Sequence, residues 1–357
     1  MTEAGAEAGD SIFRCPYADT QKELTAKLRK NIDIYQGIDL AERSRMTLTE
    51  WVEQLKSSLN KTVSAHSRLS IRVALLQLSP LSYGELVADG DTPPFRVDLS
   101  SLRQRQDTRP ALDTPAIFQR IFTGGMPALA SGQYASPDIF YSSYISTYLD
   151  RDVRRLSAGI DDLKFLGFLR AAAARTSQQV NYKGIADDAE IDQATAKNWL
   201  HILEALGIVF LLRPYSNNVL KRTVSTPKLY FYDTGLVCYL TRWSSPETAM
   251  NGAMSGALLE NYAVAEIMKT YQNAGQEPFL YYYRDKDARE IDLLLEQDGK
   301  LFPIEIKKMA EPPKKLTKVF ELIDKSPLQR GTGAVLCMAD QLGAFDQNNL
   351  IVPIALI

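Results

Sequence analysis

The sequence predicts a multi-domain α/β protein, and three observations support this class. The chain has 357 residues, enough for two or three domains that each bury a core. Helix-like and strand-like hydrophobic patterns alternate along it without an internal repeat. Residues 290–307 form two strand-like arms joined by Asp298-Gly299, a dipeptide typical of tight hairpin turns.

Composition and charge exclude several classes of protein. The formal net charge is −2 at pH 7, so any surface that binds nucleic acid must be local. Three scattered cysteines and two histidines argue against a disulfide framework and against a histidine-built metal site or catalytic triad. No apolar run is long enough to span a bilayer, and the small, acidic N-terminus argues against a signal peptide. We therefore expect a cytoplasmic protein with no membrane partner.

Local patterns also predict the elements of the first half of the chain. These are helices at 21–35, 47–59, 117–121 and 141–156, and a buried strand at 71–78. The stretch 89–115 is rich in Pro, Asp, Ser and Arg and is predicted to be a loop or insertion. Gly124 and Gly125 are expected to end the helix that precedes them.

Residues 161–233 have the outline of a winged helix. The pattern predicts helices at 162–174, 182–186 and 193–206 and wing strands at 208–213 and 228–232. On the first helix, Leu163 is predicted to face inward with Phe165. Lys197 on the third helix, with Lys221 and Arg222 in the loop between the strands, are candidates for contact with nucleic-acid phosphates. A winged helix that only packs domains together stays open as the alternative.

The hairpin places two acids opposite each other. If Asp298-Gly299 forms the turn, Gln297 pairs with Lys300, and counting outward sets Asp292 opposite Glu305. Opposed residues in an antiparallel pair have Cα atoms roughly 4.5–5.5 Å apart and point to the same face. The sequence therefore predicts two facing carboxylates.

A lysine and a third acid complete the candidate site. Lys307 lies two residues beyond Glu305 and shares its face. Two facing carboxylates beside a lysine are typical of a divalent-metal site for phosphodiester cleavage, because a cation offsets their repulsion. Glu260 lies on the apolar stripe of a preceding helix, where an acid needs a partner. The other face of the hairpin is expected to hold Ile291, Leu293, Leu295, Ile304 and Ile306 in a core.

The surroundings of the hairpin are predicted as well. Residues 281–284 are predicted to be the central strand leading into it, and strands at 333–337 and 350–354 are expected to close the sheet. Beside it runs a basic strip, of which Lys308 is a further candidate for phosphate contact. The strip consists of Lys307, Lys308, Lys314, Lys315 and Lys318. A solvated face is the alternative reading of this strip.

Asp292 followed by Glu305-x-Lys307 resembles the core of the PD-(D/E)xK nuclease-like fold. An acid on a preceding helix accompanies that core, and Glu260 fits the place. The resemblance implies that Glu260, Asp292 and Glu305 are catalytic residues that hold Mg²⁺. It implies that Lys307 helps to orient or activate the attacking water and stabilises charge on the phosphate.

Several motifs in register resemble a larger family, the AAA-type ATP-binding proteins that end in the domain of unknown function 4143. They lie at residues 72–82, 124–127, 148–154, 228–236 and 284–307. The resemblance implies a truncated AAA-like ATPase region at 1–130. A helical lid and winged helix would follow at 131–245, and a restriction-endonuclease-like PD-(D/E)xK domain at 246–357.

The chain departs from that family at the nucleotide site. No G-x-x-x-x-G-K-[ST] phosphate loop occurs, and no strand ends in Asp-Glu to hold magnesium. ATP is therefore not expected as a cofactor of this chain. Arg151 and Arg154 occupy the place where the family presents an arginine to nucleotide, but their acidic neighbours favour a salt-bridged helix surface.

Three functions stay open at this point. The first is a nucleic-acid-associated protein with an Mg²⁺-dependent nuclease-like site. The second is a non-enzymatic module that binds DNA or protein, and the third is the ATPase that the family resemblance implies. Nucleic acid, a partner protein or further copies of the chain are the expected partners.

Overall fold

The computed structural model describes residues 78–87, 93–149, 161–216 and 226–357. Residues 79–357 form one compact unit that combines helices with two β-sheets, which confirms the α/β class. The elements predicted at 21–35 and 47–59, most of the strand at 71–78, and Arg151, Arg154, Lys221 and Arg222 lie outside the described residues. No described helix is both long and apolar enough to cross a membrane. The domain boundaries at 130 and 245 stay predictions.

The described chain begins with five helices, the last of which continues into a π-helical turn at Tyr144–Leu149. They are α1 (Tyr83–Leu86), α2 (Leu99–Thr108), α3 (Thr114–Thr123), α4 (Pro127–Ala130) and α5 (Pro137–Ser143). The loop predicted at 89–115 was wrong where α2 lies. Asp98 caps α2 by accepting the Ser101 N–H at 2.8 Å, and the helix buries Leu102 and Arg105.

The next five elements match the predicted order within two residues at each end. They are α6 (Asp162–Ala173), α7 (Tyr182–Asp188), α8 (Gln193–Ala205), β1 (Val209–Leu212) and β2 (Lys228–Phe231). The two strands pair antiparallel, with Val209 opposite Phe231. Leu163 was predicted to face inward but is 82% exposed. At about 100° per residue it lies on the side of α6 opposite the buried Phe165 and Phe168.

Three helices connect this part to the large sheet: α9 (Thr234–Leu240), α10 (Pro246–Asn251) and α11 (Ser255–Asn273). A buried amide joins α11 to β2. The Asn261 side chain accepts the Phe231 N–H and donates to the Phe231 carbonyl, each at 2.8 Å. These two bonds set the position of α11 relative to β2, and therefore of Glu260 relative to the side chains of that strand.

The large sheet has the strand order β3-β4-β5-β7-β9-β8, with β6 paired to β5. Its strands are β3 (Leu280–Arg284), β4 (Glu290–Gln297), β5 (Lys300–Ile306), β6 (Gln329–Arg330), β7 (Gly333–Cys337), β8 (Gly343–Asp346) and β9 (Asn349–Pro353). Short 3₁₀ helices cover Lys314–Lys325 and Ile354–Leu356. β3, β4 and β5 are antiparallel, whereas β5, β7 and β9 are parallel.

The strand at 281–284 was predicted to be central, but β3 lies at the end of the sheet order. A main-chain segment that follows β1 covers its outer edge. Tyr282 donates its N–H to the Arg213 carbonyl at 3.1 Å, and its own carbonyl accepts the Tyr215 N–H at 2.7 Å. Hydrogen bonds from the segment after β1 therefore protect this edge of the sheet.

The hairpin turn follows the prediction. Asp298 and Gly299 both have positive φ, 51° and 71°, as a two-residue turn of the I′ type requires. Gln297 pairs with Lys300, and the ladder continues outward to Leu293 and Ile304.

One part of the predicted facing pattern was wrong. Leu293, Leu295, Ile304 and Ile306 share the main core, but Ile291 lies in a second cluster with Leu294 and Leu301. The reason is an irregularity in the β3–β4 pairing. Tyr281 pairs with Leu294, whereas Tyr283 pairs with Ile291, so β4 carries one extra residue here. Such a bulge reverses the strict alternation that places odd-numbered residues on one face.

Candidate functional site

The structure brings together the three predicted side chains of the hairpin. The Lys307 ammonium lies 2.8 Å from Asp292 Oδ2 and 2.7 Å from Glu305 Oε2. Asp292 Oδ2 also accepts the main-chain N–H of Ile306 at 2.8 Å. The Asp292 carboxylate therefore takes the place of a main-chain acceptor, just beyond the last regular pair of the β4–β5 ladder.

Glu305 is the least satisfied member of this group. It is 5% exposed, and its Oε1 atom is buried without a hydrogen-bond partner in the part of the chain that the structure describes. Burial, and next the charge of Asp292, raise the pKa of Glu305 to about 8, although Lys307 acts in the opposite direction. A buried acceptor without a donor beside a second carboxylate is a place where a further positive group would be stabilising.

Glu260 approaches this group from α11. Its Oε1 atom accepts hydrogen bonds from the Tyr230 hydroxyl at 2.7 Å and from the Lys228 ammonium at 2.9 Å. Burial and then the Asp292 charge raise the pKa of Glu260, and Lys228 offsets part of this. The Asp292 charge therefore acts against ionisation of Glu260, while β2 supplies two hydrogen bonds to it.

Sequence reasoning missed Lys228 and Glu290. Lys228 is 3% exposed and forms ion pairs with both Glu260 and Glu290. Burial alone would lower the pKa of Lys228, but the two carboxylates raise it above its ordinary value. Glu290 also lies 3.3 Å from Arg284 at the exposed rim. A lysine within the otherwise apolar strand Lys228-Leu229-Tyr230-Phe231 was the signal, because a buried ammonium group requires acidic partners.

We call Glu260, Glu290, Asp292, Glu305, Lys228 and Lys307 the acidic cluster. Its four carboxyl groups meet two ammonium groups, and burial and mutual repulsion raise the pKa of two of these acids, Glu260 and Glu305. Carboxylate oxygens are the ligands that Mg²⁺ prefers, so the chemical type of these donors suits a divalent cation. In the described part of the chain, however, no three acidic, histidine or cysteine side chains are close enough together to hold a metal ion. Lys307 lies between the two carboxylates where such an ion would bind.

The predicted phosphate contacts differ in their surroundings. Lys197 is exposed on α8. Lys308 is turned inward instead, where its ammonium donates to the Met250 carbonyl, lies 3.3 Å from Ser255 Oγ and stands over the Phe118 ring at 5.3 Å. Its ammonium is thus partly buried against neighbouring groups, and its contact with phosphate stays a prediction. Of the rest of the basic strip, Lys315 and Lys318 are exposed, and Lys314 pairs with Asp346 at 2.9 Å.

The motif at 124–127 has a structural role that the sequence did not reveal. Asp233 is 3% exposed and accepts hydrogen bonds from the Gly125 N–H at 2.8 Å, the Tyr141 hydroxyl at 2.6 Å and the Leu236 N–H at 2.9 Å. One carboxylate therefore ties the end of α3, α5 and the start of α9 together.

Comparison with known proteins adds two matches to family models and two relatives. Residues 114–247 match the model of a domain of unknown function numbered 8612. Uncharacterized proteins of Mycobacterium bovis and Mycobacterium tuberculosis are each 26% identical over 190 residues, which are 53% of this chain. The match covers 42% of the length of each relative. No solved structure matches the chain. Residues 255–357 match the domain of unknown function 4143, which confirms that part of the resemblance seen in the motifs.

Proposed function

We propose that the chain is a nucleic-acid-associated protein with a divalent-metal site for phosphodiester cleavage in its C-terminal part. The observation that carries this proposal is the buried Oε1 atom of Glu305, which has no hydrogen-bond partner among the described residues and lies in a cluster where four carboxyl groups meet two ammonium groups. A structural salt bridge alone would not require a buried carboxylate oxygen without a donor. A bound cation would satisfy it.

In this proposal Asp292 and Glu305 hold the metal ion, and Glu260 is the third carboxylate near it. Bound Mg²⁺ would supply Lewis-acid stabilisation of charge on the phosphate and lower the pKa of an attacking water. Lys307 would exchange its contacts with the two carboxylates for contacts with that water and a phosphate oxygen. The side chain is 30% exposed, so it has room to move outward.

The element order supports the fold that goes with this function. We propose a PD-(D/E)xK-like domain built on α11 and the β3–β4–β5 meander, with Glu260 on the helix and the other two acids on the strands. We propose a winged helix for α6, α7, α8 and the β1–β2 hairpin. Lys197 on α8, with Lys315 and Lys318 beside the large sheet, would contact phosphates.

A direct test is titration of the full chain with Mn²⁺, followed by incubation with single-stranded and double-stranded DNA and with RNA. We expect Mn²⁺ affinity and metal-dependent cleavage, both lost in Glu305→Ala and Asp292→Ala. Glu311→Ala, which removes an exposed acid elsewhere, is the matched control. Cleavage that persists unchanged in Asp292→Ala would rule out this site.

One observation favours a second function, a non-enzymatic binding module. Lys307 already pairs with both Asp292 and Glu305 at hydrogen-bond distance, so an ammonium group rather than a metal ion lies between the two acids. The same titration separates the two functions, since a binding module has no Mn²⁺ affinity that depends on Glu305. ATP hydrolysis is not part of the proposal, because the sequence lacks the phosphate loop.

A further inference from the structure

The acidic cluster does not belong to the C-terminal segment alone. Lys228 and Tyr230 lie on β2, outside residues 255–357, yet each donates a hydrogen bond to Glu260. The Lys228 ammonium also pairs with Glu290 at the start of β4 and lies 5.5 Å from the centre of the Tyr282 ring. A single side chain of β2 therefore forms ion pairs with an acid on α11 and an acid on β4.

Both donors converge on the same oxygen of Glu260. No hydrogen bond to its Oε2 atom occurs within the residues that the structure describes. A carboxylate held in this way has one oxygen fixed by the protein and one available to a ligand. Outer partners of this kind orient metal ligands in many proteins, and their loss costs about 10–100-fold in metal affinity.

The position of Lys228 is itself set by the fold. Asn261, the residue after Glu260, is bonded to both main-chain groups of Phe231 at 2.8 Å. The Tyr282 hydroxyl donates to the Thr226 carbonyl at 2.6 Å, two residues before Lys228. Contacts to the main chain before and after Lys228 therefore fix the backbone of β2 at this point. The fixed backbone holds the Lys228 ammonium next to Glu260.

We propose that Lys228 is a positioning residue of the metal site, which holds Glu260 by one oxygen and leaves its second oxygen for the divalent cation. Tyr230 has the same role to a lesser degree. The inference rests on the proposed function, and it makes the site a composite of β2 with the C-terminal sheet. The C-terminal segment by itself would then lack the groups that orient one of its three acids.

The test measures Mn²⁺ affinity of the full chain, together with water-proton relaxation, which reports the number of water molecules on the bound ion. For Lys228→Met we expect affinity about 10-fold or more below wild type, with additional water on the ion as Glu260 is lost as a ligand. Lys228→Arg, which keeps a positive charge beside Glu260, should restore part of that affinity. Tyr230→Phe removes only one hydroxyl and should weaken binding less, so it carries the test if Lys228→Met does not fold.

Lys269 provides a matched control. It is a second buried lysine, 2.9 Å from Glu266 one turn away on α11 and outside the acidic cluster. Lys269→Met should lose stability through the same kind of broken ion pair but bind Mn²⁺ as wild type does. Equal weakening in Lys269→Met would overturn the positioning role, as would Lys228→Met and Tyr230→Phe with wild-type affinity and hydration. Failure of the wild type to bind Mn²⁺ would overturn the proposed function and this inference with it.

Discussion

Asp292 Oδ2 lies 2.8 Å from the main-chain nitrogen of Ile306, so a side chain ends the ladder between β4 and β5. The same oxygen lies 2.8 Å from the Lys307 ammonium. Asp292 therefore has a structural role in addition to the one proposed at the metal site. Substitutions that separate the two roles are informative.

We expect Asp292→Ala to be less stable than Asp292→Asn by about 1–3 kcal/mol, the cost of a buried N–H without an acceptor. The asparagine carbonyl still accepts the Ile306 N–H, whereas alanine offers no acceptor. Urea denaturation of both variants measures the difference. Equal unfolding free energies would show that the hydrogen bond is replaced by solvent.

Glu305 should make the stability of the protein depend on pH. Burial and the Asp292 charge raise its pKa from 4.5 to about 8, so the folded protein holds this proton more tightly than the unfolded chain does. The stabilisation of the folded state that comes from this tighter proton binding is complete below pH 4.5. It is lost as the pH rises through about 8.

Glu305→Gln cannot ionise, so its melting temperature relative to wild type should rise between pH 5.5 and 8.5. Calorimetry at the two values measures the change. Glu311→Gln, an equal change of charge at an exposed site, should show no such trend. A constant difference between Glu305→Gln and wild type across this window would contradict the raised pKa.

Lys307 should be needed for cleavage but not for binding of the metal ion. Its ammonium lies 2.7 Å from Glu305 and competes with a cation for that carboxylate. Lys307→Met should therefore bind Mn²⁺ as tightly as wild type or more tightly, while cleavage falls by about 10²–10⁴-fold, the range for loss of a group that moves a proton or stabilises charge. Titration and a cleavage assay on the same preparation test both parts. Lys300→Met, at the exposed hairpin turn, is the control.

Asp233 should be among the most sensitive positions for stability. Asp233→Ala leaves the Gly125 N–H and the Tyr141 hydroxyl without their acceptor and removes the cap of α9, which together should cost about 3 kcal/mol or more. Asp233→Asn keeps one acceptor oxygen and should cost less. Chemical denaturation gives both values. A loss below about 1 kcal/mol in the alanine variant would mean that water replaces the carboxylate.

A substitution of Gly124 tests the same junction, because this residue packs against Tyr141 and Asp233. It has φ of +78°, and a Cβ there would meet the Tyr141 hydroxyl and the Asp233 carboxylate. Gly124→Ala should therefore lower the melting temperature. Gly132 also has positive φ, 74°, but a Cβ there would meet no atom, so Gly132→Ala separates the cost of backbone conformation from that of crowding. Equal losses in the two variants would show that crowding contributes little.

The hairpin turn and its strand pairing could be predicted from the local sequence. Asp298-Gly299 adopts the turn that its residue types favour, and the turn sets the pairing of Gln297 with Lys300 and the residues beyond it. Both features depend on residues adjacent in the chain, so they were predictable. The elements between 161 and 233 were predictable for a similar reason, because their hydrophobic periods and capping residues are local.

Long-range contacts decided the rest. The bulge opposite Tyr282 moved Ile291 to another cluster, because pairing with β3 and not the pattern of β4 determines the local register. The Lys308 ammonium contacts the Met250 carbonyl on α10. The residues next to Lys308 in the sequence do not indicate this contact.

The sequence by itself determined that two acids and a lysine meet at residues 292, 305 and 307, since one tight turn brings nearby segments of chain together. Only the tertiary structure decided what surrounds them. Lys228 reaches Glu260 from a strand 32 residues earlier in the chain, through contacts between β2 and α11 that no local pattern encodes. Burial then determines the charge state of Glu305, because the energy of an ionised carboxylate depends on all the groups that exclude water from it.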